Sequence, residues 1–170
     1  LYVGGRFTSA GGIATQHIAA WNGTSWSAVG SGIDSGFSVA SLAIDVSGKV
    51  YAGGYFSQVG SQTANNIACW NGTNWSPVGT GTNSDVFSLA VDAAGTLFAG
   101  GWFTTAGGIN VNATAAWNGT TWGPIGAGLS EGFVDALVLH DTRLYAGGSF
   151  TESAGVSAQY TAYADLPQSP

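Results

Sequence analysis

Leu1-Tyr2-Val3-Gly4-Gly5-Arg6-Phe7 opens the chain, and the phrase returns three times. It recurs as Val50-Tyr51-Ala52-Gly53-Gly54-Tyr55-Phe56, as Leu97-Phe98-Ala99-Gly100-Gly101-Trp102-Phe103 and as Leu144-Tyr145-Ala146-Gly147-Gly148-Ser149-Phe150. The spacings are 49, 47 and 47 residues. A second phrase follows the first three copies at near-constant distance: Trp21-Asn22-Gly23, Trp70-Asn71-Gly72 and Trp117-Asn118-Gly119. Each is closed, five residues after its first Trp, by Trp26, Trp75 or Trp122. Self-similarity at such a period marks a repeat architecture, in which each unit buries its apolar face against the next. The repeats run at about 1–49, 50–96, 97–143 and, in part, 144–170, within one segment spanning the whole chain.

Each repeat divides into four short strands. Val39–Asp45 is an apolar run turned by Ser47-Gly48, and Val50–Phe56 follows it. After a loop come Ile67–Trp70, an Asn-Gly turn and Trp75–Gly79. Asn-Gly between apolar segments predicts a hairpin, since both residues tolerate the positive φ of a type I′ turn. A two-residue loop sets Trp21 opposite Thr24, whereas a four-residue loop sets it opposite Trp26. Either way strand alternation leaves both indoles on one face. Asp45-Val46-Ser47-Gly48 and Asp92-Ala93-Ala94-Gly95 form the other hairpin, and His140-Asp141-Thr142-Arg143 has lost its Gly. Leu42-Ala43-Ile44, Leu89-Ala90-Val91 and Leu137-Val138-Leu139 are continuous in apolar residues, as in a strand covered on both faces. No segment has helical spacing.

Charged residues make up 7% of the chain, against about 25% in an ordinary soluble domain. Arg6, Lys49 and Arg143 face nine acids, for a net charge of −6. A nucleic-acid binder needs a dense cationic stripe, so that class is excluded. No apolar run approaches the roughly 20 residues of a membrane span. The chain opens in mid-strand without Met, so we expect a piece of a longer protein, in which a missing signal peptide carries no information. Cys69 is the single cysteine; its slot holds Ala20 and Ala116 in neighbouring repeats, as for a small buried residue.

A glycine pair ending an apolar strand, an aromatic beyond it and a Trp after a short turn resemble the kelch repeat, over essentially the whole chain. The chain is similar to the Gly/Trp-rich repeats of large secreted or surface-anchored bacterial proteins, and to the propeller domain of copper-radical oxidases such as galactose oxidase. The resemblance implies an all-β, β-propeller fold of four-stranded antiparallel blades, about three and a half of them. It implies an extracellular location, secreted or at the cell surface. Copper-radical oxidases need a Cys–Tyr pair with two His and further Tyr ligands. One Cys and the scattered His17 and His140 do not assemble that set, so neither catalytic residue, metal nor cofactor is expected.

Positions that vary within the repeat point to binding. The slot between the Gly pair and Phe holds Arg6, Tyr55, Trp102 and Ser149, ranging from cation to aromatic to hydroxyl. The loops Ser9–His17, Gln58–Asn66 and Thr105–Ala113 vary too, as do the links between blades, which carry Asp34, Asp85 and Glu131. In a four-stranded meander these loops and links share one face, and the tight turns share the other. A protein or glycan ligand is expected on the variable face. The alternatives are a structural spacer in a giant surface protein or fibre, and the propeller part of a secreted hydrolase or oxidase whose catalytic residues lie elsewhere.

The expected core is Val3, Phe7, Leu42, Ile44, Phe56, Leu89, Val91, Phe103, Leu137, Leu139 and Phe150, with the Trp pairs alongside. The first repeat lacks its inner strand and the last its outer strand, with Tyr163 standing for the expected Trp. Propellers close with about 4–8 blades, so further repeats of the parent protein, or self-association, are expected to complete the ring.

Overall fold

The computed structural model describes residues 1–33, 35–130, 132–153 and 155–166. Every regular element among them is a strand, and no helix is long and apolar enough to cross a membrane. Four main antiparallel sheets follow the repeats. The first has Tyr2–Gly4, Ile18–Trp21 and Trp26–Ala28. The second has Ser35–Ile44, Val50–Val59, Ile67–Trp70 and Trp75–Pro77; the third has Val86–Val91, Leu97–Gly101, Thr114–Trp117 and Trp122–Pro124. The fourth has Phe133–His140, Arg143–Ser149 and Thr161–Asp165. These are blades one to four; blades two to four run from the inner strand outward, and blade one starts at the equivalent of their second strand.

Three apolar clusters join the blades, and each draws residues from neighbouring sheets. In the first three pairs the first Gly is where one blade's second strand meets the inner strand of the next. A Cβ on Gly53 would lie 2.6 Å from Val86 Cγ1, and one on Gly100 equally close to Val134 Cγ1. The second Gly lies against backbone within its own blade: a Cβ on Gly54, Gly101 or Gly148 would overlap the carbonyl oxygen of Ser38, Asp85 or Phe133. That close approach sits beside a bulge in the inner strand, between Val86 and Ser88 in blade three and between Val134 and Ala136 in blade four. Successive inner strands are also tied by serines. Ser41 Oγ accepts the Leu89 N–H at 3.0 Å and Ser88 Oγ accepts the Leu137 N–H at 2.9 Å.

The core follows the expectation in Phe56, Leu89, Phe103, Leu137 and Phe150, which are buried. Val3, Phe7, Leu42, Val91 and Leu139 are half-buried, and Ile44 is 50% exposed, against expectation. Ile44 shares its slot with Val91 and Leu139, which pack against the preceding blade. Blade one brings no inner strand to cover Ile44.

Of the two loop lengths the sequence left open, the Asn-Gly turns take the four-residue one. Trp21 pairs with Trp26, Trp70 with Trp75 and Trp117 with Trp122, so four residues make each loop. Only the Gly has positive φ, 105° at Gly23, while Asn22 Oδ1 accepts the N–H groups of Thr24 and Ser25 at 2.9 Å. Asn71 and Asn118 repeat these bonds. Asn is there as a side-chain acceptor. In blade four, Leu144 pairs with Ala164 as Val50 pairs with Trp70, so Ala164 fills the Trp slot. Tyr163 instead stands opposite Tyr145, in the slot of Cys69, because the register follows the backbone ladder and not the nearest aromatic.

Candidate functional site

The loops between second and third strands are not free loops. Each closes into a small hairpin, Ser9–Ala10 with Ile13–Ala14 in blade one and Thr105–Ala106 with Ile109–Asn110 in blade three. Each ends at a left-handed residue in one slot: His17 at φ 63°, Asn66 at 65°, Ala113 at 64° and Tyr160 at 69°. That residue's carbonyl accepts from the second Gly of the pair, and its N–H bonds to the carbonyl of the repeat's Phe. The sequences vary while the backbone does not. The links between blades hydrogen-bond onto these hairpins, Ile33 N–H to Gln16 C=O, Thr82 N–H to Asn65 C=O and Leu129 N–H to Asn112 C=O. Hairpins and links therefore share one face.

His17 sits poorly in its slot. Its Nδ1 is buried with no hydrogen-bond partner among the described residues, whereas Asn66 Nδ2 donates to Thr82 C=O at 3.1 Å. Asn also tolerates the left-handed region better than His. His17→Asn should stabilise the chain by about 1 kcal/mol, the order of relieving one unsatisfied buried group; a thermal melt that moves down would contradict this.

Arg6, Tyr55, Trp102 and Ser149 are all exposed at the end of the second strand, Tyr55 at 47% and Trp102 at 63%. Tyr55 pairs with Ser38 and Ser149 with Phe133, and the Trp102 N–H donates to Asp85 C=O at 2.9 Å. Blades two and four thus hold this slot on a paired strand and blade three one residue past its strand, each beside the start of the inner strand. Asp85 is half-buried, and burial pushes its carboxyl above the usual range. Asp34 and Glu131 lie outside the described residues. An aromatic contact unread in the sequence lies at the same rim: Phe87, in the bulge of blade three, meets Phe133 of blade four edge-on, with centroids 6.0 Å apart. The signal available was position alone, Phe133 filling the slot of Asp85 and Ser38.

The Trp pairs of blades two and three lie between blades. Trp75 Nε1 donates to Val29 C=O of the preceding blade at 2.9 Å, and Trp122 Nε1 to Val78 C=O at 3.0 Å. Paired indoles stand 5.3–5.6 Å apart at 47–50° in all three copies. Packing, not ligand stacking, accounts for their recurrence.

Cys69 faces Tyr51 across the ladder of blade two. Burial pushes the thiol up, and burial with the neighbouring Cys69 and Asp45 pushes the Tyr51 phenol up to about 12. A protonated thiol is a poor nucleophile. His17 in blade one and His140 in blade four lie outside this pair. Among the described residues, no three His, Cys, Asp or Glu side chains gather as metal ligands do.

Residues 47–77, the tight turn and last three strands of blade two, match the model of a beta-propeller domain of unknown function (DUF5122). The fold is a β-propeller. The match supports a propeller repeat without the kelch or galactose-oxidase specificity. No curated protein matches the chain. Within the propeller, blades two to four present Tyr55, Trp102 and Ser149 from equivalent positions opposite Ser38, Asp85 and Phe133.

Proposed function

We propose that this propeller is a non-catalytic extracellular module that binds a protein or glycan through the face carrying its hairpins and inter-blade links. The observation that supports it is the exposed slot of Arg6, Tyr55, Trp102 and Ser149, where a repeated backbone carries unlike side chains. Packing favours one residue type per slot, as at Phe56, Phe103 and Phe150. An exposed indole and phenol on adjacent blades offer the large, rigid contact area that dominates binding sites. Fold alone assigns no ligand.

Trp102→Ala with Tyr55→Ala should weaken ligand binding by about tenfold or more and leave the melting temperature unchanged. A glycan array and a protein pull-down supply the ligand, and isothermal titration reads the loss. Binding that survives both substitutions would remove this face from the function.

A spacer role has one observation in its favour. Leu1, Val138, Tyr145 and Tyr163 are exposed on the outer blades, and uncovered blade faces associate with further blades or further copies.

A further inference from the structure

Where the inner strands begin, blade three reads Asp85-Val86-Phe87 and blade four Phe133-Val134-Asp135, against Ser38-Val39-Ala40 in blade two. Asp85, Phe133 and Ser38 share one slot, and Phe87, Asp135 and Ala40 share the bulged position after the Val. Acid and aromatic thus exchange places between neighbouring blades. By slot, the two Phe stand on one diagonal and the two Asp on the other. The Phe diagonal is closed by contact, the rings meeting edge-on with centroids 6.0 Å apart. Both Phe and Asp85 are half-buried, and Asp135 is exposed. Trp102, itself exposed, adjoins them through its N–H on Asp85 C=O.

These two carboxylates differ from those on the tight-turn side. Asp45 Oδ1 accepts the N–H groups of Ser47 and Lys49, Asp92 Oδ1 accepts that of Thr96, and Asp165 Oδ1 accepts from Arg143 Nε at 2.7 Å. Among the described residues, neither the Asp85 nor the Asp135 carboxylate takes a hydrogen bond or an ion pair. The chain's Lys and Arg lie elsewhere: Lys49 closes the turn of Asp45, Arg143 is held by Asp165, and Arg6 stands in blade one. Uncompensated carboxylates beside accessible rings are complementary to a cation, which gains from a ring face as well as from a carboxylate. A neutral glycan would use the rings alone, and an anionic one would be repelled. We infer that this rim of blades three and four is a docking surface for an Arg- or Lys-bearing segment of a protein partner, held by Asp85 and Asp135 and packed on Phe87, Phe133 and Trp102. With Trp102 and Asp135 both exposed, the surface is open and spans two blades, which fits an extended segment with more than one basic side chain. The inference rests on the reading of this face as the binding face, and fixes the chemistry of its partner.

The test is a rhodamine-labelled peptide of alternating Arg and Gly, titrated into the chain by anisotropy beside a twin in which citrulline, neutral and of like shape, replaces each Arg. Saturable binding of the Arg peptide is expected, weakened about tenfold or more by citrulline and by Asp85→Asn with Asp135→Asn. Asp141→Asn with Asp165→Asn removes the same charge from the tight-turn side and should change binding by less than about twofold. The citrulline comparison uses the unaltered chain, so a variant that folds poorly leaves the test intact. No binding, equal binding of the citrulline twin, or equal losses in the two double variants would overturn the inference. Glycan binding lost on Trp102→Ala with Tyr55→Ala, without binding of the Arg peptide, would overturn it and leave the binding face standing. Ligands indifferent to both pairs of substitutions would end both readings.

Discussion

Trp75→Ala is expected to destabilise the chain by about 3–5 kcal/mol, the range for deleting a buried large aromatic. The indole is 5% exposed and joins the cluster between blades one and two. Its partner Trp70 stands 5.6 Å away, and Gly30 beneath it has no side chain to collapse into the space. Truncation also removes the N–H bonded to Val29 C=O at 2.9 Å. Trp75→Phe separates the two effects, keeping most of the area and losing only the hydrogen bond, about 1 kcal/mol. The chain carries its own control: Trp26 is the same residue in blade one, where among the described residues no neighbouring blade covers it and the indole is half-buried. Trp26→Ala should cost less than half as much. Chemical denaturation with a constant m-value is the measurement. Equal losses at positions 26 and 75 would show that these indoles do not bind the blades together.

Gly101→Ala is expected to cost about 3 kcal/mol, at the upper end of overpacking. The φ of Gly101 is not left-handed, so conformational freedom is not the reason for glycine here. The reason is space: a Cβ would overlap the Asp85 carbonyl oxygen, which is backbone and cannot swing aside as a side chain would. Moving Asp85 would also disturb the bulge at Val86 and the Trp102 N–H bond. Gly5 is the matched control, since among the described residues no inner strand lies against it and a Cβ there meets only the Phe7 ring, at 3.3 Å. Gly5→Ala should cost under about 1 kcal/mol. Similar melting temperatures for the two variants would refute the close-approach account.

These two pairs show where the sequence was legible. Strand order, repeat boundaries and the face shared by hairpins and links were readable because each residue's role recurs about every 47 residues. The exposure of Arg6, Tyr55, Trp102 and Ser149 was readable for the same reason, as one slot whose residue type changes beside a Phe that does not. Ile44 was misread because its burial depends on a strand of another blade, which no local pattern in Leu42-Ala43-Ile44 reports. The hairpin loops looked variable because side chains differ, while a left-handed residue at 17, 66, 113 and 160 imposes one backbone.

By itself, then, the sequence determined an all-β repeat, its blade order and its outward-facing variable slot. Those follow from period-two alternation, turn residues and self-similarity, all of which are local or repeat in register. Only the tertiary structure decided which Trp faces which, that Asn22, Asn71 and Asn118 accept hydrogen bonds and do not take the left-handed conformation, and that Ala164 and not Tyr163 fills the missing Trp slot. Ladder register is set by backbone hydrogen bonds summed along a strand, and a one-residue slip would turn every side chain to the other face.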